Sequence, residues 1–414
     1  MSTIKDSNLA SEGSKEVAWA SRQMQVLDEI KEEFSISKPL TGIKVGACMH
    51  VTKETANLML TLQAAGAEVA LCASNPLSTN DSVAAYLAEV GIEVHAIRGV
   101  SNDDFYNHLN SVLDTNPDIT MDDGADLVTL LHKERTKIPI MGSMEETTTG
   151  VIRLRAMEKE KKLRFPAVAV NDSDTKHLFD NRFGTGQSSL DGVIRATDLL
   201  IAGLSVGIIG FGDCGKGVAE RAEGMGAKVY VVETNPVRAL EAQMQGYSVV
   251  SAKTLAGIAD LIISVTGNKH VISKDLFPLM KDGIILANAG HFDVEIDLEY
   301  LSTNSDSVNN VRENVESYKY EGREIFVIGE GRLVNLVAST GHPASVMDMS
   351  FANQALAAKW IKDNHETLEN IVYTLPKEVD QEIAKKKLFL MGGELQDLSD
   401  EQRAYLSSWE FGTS

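Results

Sequence analysis

Residues 205–233, SVGIIGFGDCGKGVAERAEGMGAKVYVVE, have the order strand, glycine-rich turn, helix and second strand. The turn contains Gly210, Gly212 and Gly215, which allow backbone N–H groups to approach a pyrophosphate at the N-terminus of the following helix. Glu233 lies eighteen residues beyond Gly215, where a carboxylate can accept from a ribose 2′-hydroxyl. This order predicts a Rossmann-type unit that binds NAD.

Two alternatives to this prediction remain open at the level of sequence. A glycine-rich turn can occur in an α/β domain that binds nothing, although here the strand, the helix and the acidic residue are all present. Arg238 follows Glu233 closely, and an arginine near this position can accommodate the 2′-phosphate of NADP. We expect Arg238, Asp213 and Thr266 to contact the cofactor in addition to the turn.

Short apolar strings alternate with helical stretches on both sides of this unit, which favours parallel sheets with helices on both faces. We therefore predict an α/β fold with two doubly wound parallel-sheet domains, a substrate domain and a Rossmann NAD-binding domain, and a short C-terminal tail. Further predicted strands are KVGACMHV (44–51), VALCAS (69–74), VHAIRG (94–99), DITMDD (118–123), IPIMGS (138–143), PAVAVN (166–171), SVVSA (248–252), LIISVT (261–266) and IILANAG (284–290).

Two local features complete the predicted fold. Val17, Met24, Leu27 and Ile30 recur at helical intervals, so one amphipathic helix is expected over residues 16–34. No repeat or proline-rich linker separates the two α/β units. We therefore expect a short hinge near residues 184–188.

Composition excludes several classes of function. The 414 residues include 39 basic and 59 acidic side chains, a net charge of −20, which argues against nucleic acid as a partner. The three cysteines and nine histidines have neither disulfide nor metal-ligand spacing, so no metal site is predicted. No signal-peptide-like or membrane-spanning stretch is recognised, and a cytoplasmic location is expected.

Polar side chains follow the predicted strands of the first unit at unusual density. The carboxyl ends of parallel strands share one edge of a sheet, which is where α/β proteins bind ligands. These polar residues are His50, Thr52, Glu54, Thr55, Asn75, Asp122, Asp123, Asp126, Glu145, Glu146, Thr147, Thr148, Thr149, Asn171, Asp172, Lys176, Asp180 and Asn181.

Several of these residues also have simpler explanations. Lys176 and Asp180 are four residues apart and could form an ordinary ion pair on a helix surface. Thr52 could cap the next helix with Glu54 in its first turn, and spacing alone favours that interpretation. The aspartates around Gly124 could be turn residues.

Seven strings, in this order, resemble the S-adenosylhomocysteine hydrolase family over about residues 42–375. They are ACMHVTKETA, MDDGADL, SMEETTTGV, VNDSDTKHLFDN, GFGDCGKG, NAGHFDVEID and EGRLVNLVASTGHPASVMDMSFANQ. The resemblance implies reversible hydrolysis of S-adenosylhomocysteine to adenosine and homocysteine through NAD-dependent 3′-oxidation, elimination, water addition and re-reduction. It also implies a homotetramer, and a substrate domain of residues 1–184 and 342–385 around an NAD-binding domain of 185–341, with 386–414 as the tail.

The resemblance further implies a role for each residue that matches the family. Lys176 and Asp180 would contact the ribose 3′-hydroxyl, and Glu146 and Asn181 would orient the ribose. The acid–base pair would be His50 and Asp123, with His291 and Asn335 between cofactor and sugar. The purine pocket would comprise Thr52, Glu54, Thr55, His342 and Met347, and the run Thr147, Thr148 and Thr149 would contact the ribose or the cofactor.

Three positions depart from the family pattern. Thr185 stands where many relatives carry cysteine, Arg238 replaces a common asparagine, and the ending SSWEFGTS lacks the lysine and tyrosine of a tail that many relatives have. The open functional alternatives are an S-inosylhomocysteine hydrolase, a simple NAD-dependent dehydrogenase and a non-catalytic regulatory homologue. Glu54 favours adenine, because a carboxylate accepts from an amino group and repels an oxo group.

Overall fold

The computed structural model describes residues 2–412 and contains two sheets flanked by helices. The first sheet comprises β1 (Lys44–Cys48), β2 (Glu68–Cys72), β3 (Glu93–His95), β4 (Ile119–Asp122), β5 (Gly142–Glu145), β6 (Ala167–Ala169) and β15 (Val372–Tyr373). Its order is β15-β6-β5-β4-β1-β2-β3, and every pair is parallel.

The second sheet has the order β12-β13-β14-β11-β10-β7-β8-β9. Six of its strands continue the parallel pattern, so the predicted α/β class is confirmed. They are followed along the sheet by an antiparallel ribbon that the sequence analysis did not identify. The strands are β7 (Ser205–Ile209), β8 (Lys228–Val232), β9 (Ser248–Val249), β10 (Leu261–Ser264), β11 (Ile284–Asn288), β12 (Ser307–Arg312), β13 (Val315–Tyr320) and β14 (Arg323–Ile328).

Helices before the second sheet are α1 (Ala10–Ser21), α2 (Gln25–Ser37), α3 (Lys53–Ala64), α4 (Asp81–Glu89), α5 (Asn102–Asp114), α6 (Asp126–Lys133), α7 (Thr148–Lys159), α8 (Asp174–Lys176) and α9 (Thr185–Thr197). The later helices are α10 (Asp213–Gly224), α11 (Pro236–Met244), α12 (Ala252–Ile258), α13 (Leu298–Asn304), α14 (Val334–Val337), α15 (Ala344–Asn364), α16 (Lys377–Leu390) and α17 (Asp400–Leu406). None of the helices in the described part of the chain is long and apolar enough to cross a membrane.

In each sheet the strand order reverses at one point, and the loops at that point line a cavity shared with the other sheet. In the first sheet β1 pairs with β4, and in the second β7 pairs with β10. Each pair flanks a topological switch point, where the loops leaving neighbouring strands diverge and open a crevice. The fold therefore supplies two crevices, one for each half of a ligand site.

Two local predictions are wrong. The predicted single opening helix is two helices, α1 and α2, because Asp348 accepts from the Val26 and Leu27 N–H groups at the start of α2. The predicted strand over 138–143 begins only at Gly142, since Pro139 has no N–H for the ladder. The hinge near residues 184–188 stays a prediction, and this segment is helical, with a π-helix over His177–Gly184 that continues into α9.

Asp348 joins three helices through one buried carboxylate. It is fully buried on α15, caps α2 and lies 2.8 Å from Lys387 Nζ of α16. Removing one partner of a buried pair leaves an uncompensated charge, which costs about 3–5 kcal/mol.

We therefore expect Asp348→Ala to lower the free energy of unfolding by about 3–5 kcal/mol in denaturant titrations. The matched control is Lys386→Met, on α16 next to Lys387. It removes a solvent-exposed ion pair with Glu29 of α2 and should cost less than about 1 kcal/mol. Equal losses in the two variants would contradict a structural role for the buried pair.

Candidate active site

A cavity of about 600 Å³ lies between the carboxyl ends of the two sheets. The loop after β1 supplies His50 and the loop after β4 supplies Asp123, so the first switch point opens into the cavity. On the other side, Gly210 follows β7 and Thr266 follows β10. The two crevices are thus continuous.

The glycine-rich turn has the shape that a pyrophosphate needs. Gly210 has φ +104°, which only glycine adopts without strain. A Cβ on Gly215 would lie 2.0 Å from the Gly210 carbonyl oxygen, so this glycine permits the close approach of helix and strand. Gly212 and Asp213 line the cavity where α10 begins, with the helix N-terminus directed at it.

Glu233 is held rigidly at the end of β8. Its carboxylate accepts from the N–H groups of Phe211, Thr234 and Asn235 at 2.7–2.8 Å. Burial opposes ionisation, but these backbone donors prevail and lower the pKa of Glu233. Arg238 lines the same end of the cavity, while the Thr266 hydroxyl donates to Glu295 at 2.8 Å. A fixed negative charge here suits a free ribose and repels a 2′-phosphate.

Asn335 of α14 is buried and lines the same cavity. Its Nδ2 donates to Ser188 Oγ at 3.0 Å, whereas its Oδ1 has no hydrogen-bond partner among the described residues. A buried amide oxygen without a donor fits a carboxamide such as that of nicotinamide. Thr147, Thr148 and Thr149 line the cavity nearby, at the start of α7. These residues fit NAD.

Lys176 lies where the two halves meet. Its Nζ is 2.8 Å from Asp180 Oδ2, 2.7 Å from Asn181 Oδ1 and 3.6 Å from Glu146 Oε1. Lys176 and Asp180 are 4% and 1% exposed, so the interpretation as a surface ion pair is wrong. The π-helix begins one residue after Lys176, and its wider turn carries Asp180 and Asn181 back to the ammonium group.

The charges of this cluster are balanced. Burial opposes the charged form of Lys176, but Asp180 and Glu146 prevail and raise its pKa. Burial also opposes ionisation of Asp180, yet Lys176 and His342 hold the pKa of this carboxyl well below its ordinary value. Burial raises the pKa of Glu146 to about 8 despite the nearby ammonium. The Lys176 ammonium therefore lies between a strongly acidic carboxyl, that of Asp180, and a weakly acidic one, that of Glu146.

Asp123 lies between two imidazoles. Its Oδ2 is 3.4 Å from His50 Nε2, and its Oδ1 is 3.6 Å from His291 Nδ1. Burial lowers the pKa of His50 to about 4, and its Nδ1 contacts Ser74 Oγ and Ser78 Oγ at 2.7 and 2.8 Å. His50 is therefore neutral near pH 7. Sequence spacing predicted no metal site, but the ligating atoms of this trio lie within 4.8 Å of one another, the only such group among the described residues.

Three of the residues assigned to the purine pocket lie at the start of α3. Thr52 does cap α3 by accepting from the Thr55 N–H at 3.3 Å, and Thr55 itself donates to the His50 carbonyl. Glu54 is 1% exposed and lies 3.0 Å from Lys53 Nζ; burial raises its pKa. Thr52, Glu54, Thr55 and Met347 all line the cavity.

His342 has a different environment from the rest of the purine set. Its Nδ1 makes a short hydrogen bond to Asp180, and its Nε2 is 3.3 Å from Thr185 Oγ1. The threonine that replaces the family's common cysteine thus contacts His342, and through it the Lys176 cluster.

Sequence reasoning missed the groups that support the cluster from a distance along the chain. Gln354 Nε2 donates to Glu146 Oε2 at 2.6 Å, and Ser350 Oγ donates to Asp180 Oδ2 at 3.1 Å. Asp380 accepts from the Asp174 and Thr175 N–H groups just before Lys176. Only the string containing Ser350 and Gln354 gave any signal, through the family resemblance.

A dinucleotide cradle that opens directly onto a buried, polar second compartment defines an NAD-binding enzyme with two α/β units. Comparison with known proteins specifies the family. A family model described as "S-adenosyl-L-homocysteine hydrolase" matches residues 1–139, and "S-adenosyl-L-homocysteine hydrolase, NAD binding domain" matches residues 181–341. The chain belongs to the S-adenosyl-L-homocysteine hydrolase family.

Relatives with curated names match over nearly the whole chain. The adenosylhomocysteinase of Pyrococcus abyssi is 54% identical, covering 99% of this chain and 98% of the relative. That of Aquifex aeolicus is 53% identical, with 99% of both chains covered. The S-inosyl-L-homocysteine hydrolase of Methanococcus maripaludis is 52% identical over 100% of both chains. The family therefore includes proteins named for an adenosyl substrate and proteins named for an inosyl substrate.

We expect Glu233→Ser to shift cofactor preference towards NADP by at least tenfold, about 1.4 kcal/mol, because the fixed negative charge is removed while Arg238 remains. The dissociation constants of NAD and NADP, measured by calorimetry on cofactor-depleted protein, give this ratio. Glu241→Ser, on α11 but outside the cavity lining, is the control. An unchanged ratio in Glu233→Ser would show that this carboxylate does not select the cofactor.

Proposed function

We propose that this protein catalyses the reversible hydrolysis of S-adenosyl-L-homocysteine to adenosine and L-homocysteine. The observation that carries the proposal is the buried Lys176 ammonium, held by Asp180, Asn181 and Glu146 at the junction of the cofactor and substrate crevices. A ribose with its 3′-hydroxyl on Lys176 would present its 3′ carbon to the nicotinamide end of the cavity. Bound NAD would supply the acceptor that oxidises this carbon and later restores it.

The chain's own residues account for the remaining steps. Lys176 would stabilise negative charge on the 3′ oxygen. The hydroxyl proton would pass to Glu146, whose raised pKa makes its carboxylate a stronger base than that of Asp180. Once carbon 3′ is a ketone, the proton on carbon 4′ is acidic, and the neutral His50 with Asp123 removes it. The same pair protonates the departing thiolate and then activates water for addition.

The regulatory, non-catalytic alternative does not require this acid–base set, and a simple dehydrogenase does not require a purine compartment.

We also propose three parts of the chain: a substrate domain of residues 1–184 with 342–385, an NAD-binding domain of residues 185–341, and a tail of residues 386–414. The pairing of β15 with β6 supports assigning the return segment to the first unit. A cytoplasmic homotetramer is proposed from the family resemblance, and the exposed Leu178, Phe179 and Phe183 on the π-helix are consistent with subunit contact.

Incubation with S-adenosyl-L-homocysteine should release free thiol without accumulating reduced nicotinamide. Lys176→Met should slow the reduction of bound cofactor by adenosine by about 10²–10³-fold, since the buried charge that stabilises the alkoxide is lost. The exposed Lys162→Met is the control and should match the parent protein. Stoichiometric accumulation of reduced cofactor, or an unimpaired Lys176→Met, would contradict the proposal.

The second candidate substrate is S-inosyl-L-homocysteine. It is favoured by the 52% identity to a relative of that name and by the raised pKa of Glu54. Ionised Glu54 accepts from the amino group of adenine, whereas protonated Glu54 can donate to the oxo group of hypoxanthine. The preference for adenine or hypoxanthine would thus depend on whether Glu54 is protonated.

We expect the adenosyl-to-inosyl ratio of kcat/KM to fall as pH falls, because a pKa raised by burial keeps the donating form of Glu54 populated to higher pH. Glu54→Gln offers both an acceptor and a donor at every pH, so its ratio should be lower than that of the parent and independent of pH. A parent ratio that does not vary with pH, or a Glu54→Gln ratio that still does, would remove Glu54 from base recognition.

A further inference from the structure

Glu145 is a buried carboxyl that the proposed mechanism does not use. It ends β5, is fully buried and does not line the cavity. Its Oε1 accepts from both the Gly124 and Thr147 N–H groups, each at 2.9 Å, while its Oε2 has no hydrogen-bond partner among the described residues. Burying an acidic group this deeply is expensive, so its retention needs an explanation.

The space around Glu145 is shaped for a carboxyl group. A Cβ on Gly150 would lie 2.1 Å from the carboxyl carbon of Glu145 and within 2.4 Å of both oxygens. Gly150 is in the first turn of α7, where an alanine would otherwise favour the helix. The N-cap residue, Thr147, makes no side-chain cap to this helix. Gly150 therefore lowers the helical propensity of α7 but leaves the space that the Glu145 carboxyl occupies.

The two donors belong to the turns that carry reacting groups. Gly124 directly follows Asp123, and Thr147 directly follows Glu146. The Gly124 backbone has φ +116°, and a Cβ there would be 2.4 Å from His291 Nε2, so the position of this turn also limits His291. One oxygen atom thus links the Asp123 turn to the loop that carries Glu146.

We propose that Glu145 is a positioning residue that fixes Asp123, and with it the proton-transfer step, relative to the ribose site. The inference rests on the proposed function, because it assumes that Asp123 takes part in proton transfer. Glu146 is also held by Gln354, and Thr147 is only two residues from Glu145 along the chain. Loss of the link should therefore displace the Asp123 turn rather than the ribose contacts.

The protonation of the carboxyl is consistent with this role. Burial, followed by the nearby Asp122 and Asp123, raises the pKa of Glu145 well above its ordinary value. Glutamine keeps the same length and an oxygen that can accept from both N–H groups, so it is the conservative replacement.

The test compares Glu145→Gln, Glu145→Asp and Gly150→Ala by two readouts that separate oxidation from proton transfer. Reduction of bound cofactor on adding adenosine reports oxidation, and exchange of the 4′ hydrogen of adenosine with deuterated water reports proton abstraction. Glu145→Asp is too short to reach both donors, and Gly150→Ala pushes the carboxyl away without removing it. In both we expect exchange to fall by about a hundredfold while cofactor reduction changes only a few-fold.

Glu145→Gln should keep both rates within a few-fold of the parent. The control is Glu68→Gln at the exposed start of β2, which should change neither rate. Equal loss of both rates with a lowered unfolding temperature, or unchanged exchange in both disruptive variants, would overturn the positioning role. Absence of exchange in the parent protein would instead refute the proposed function, so the two failures are distinguishable.

Discussion

The structure depends on keeping one ammonium group, that of Lys176, away from water at the junction of two α/β units. Removing a charge from water costs several kcal/mol unless it is paired and hydrogen-bonded. Asp180 supplies the charge, Asn181 and Glu146 supply further contacts, and the π-helical turn brings these groups together. Gln354 donates to Glu146, so α15, which follows the second sheet in the chain, also contacts the cluster.

The parts that sequence could predict are those in which neighbouring residues determine the outcome. The turn with Gly210 and Gly215 requires glycine for local backbone reasons, and Glu233 stands at a fixed spacing from it along one strand–helix–strand unit. Polar residues after strands converge because parallel strands end at the same edge, so His50 and Asp123 could be expected to be close.

The parts that sequence could not predict depend on contacts between distant segments. Whether Lys176 and Asp180 were exposed could not be read from a spacing of four, because their burial requires α15 to cover them. The break between α1 and α2 follows from Asp348, more than three hundred residues away. The trio around Asp123 joins two sheets, so no single stretch of sequence contains it.

The proposed mechanism requires the nicotinamide and the substrate ribose to meet at Lys176. A crystal structure of the protein with NAD and adenosine would test it directly. We predict the reacting carbon of nicotinamide about 3–3.5 Å from ribose carbon 3′. Lys176 Nζ should lie within hydrogen-bond distance of the 3′ oxygen. An adenosine bound with its ribose away from both the nicotinamide and Lys176 would contradict the proposed mechanism.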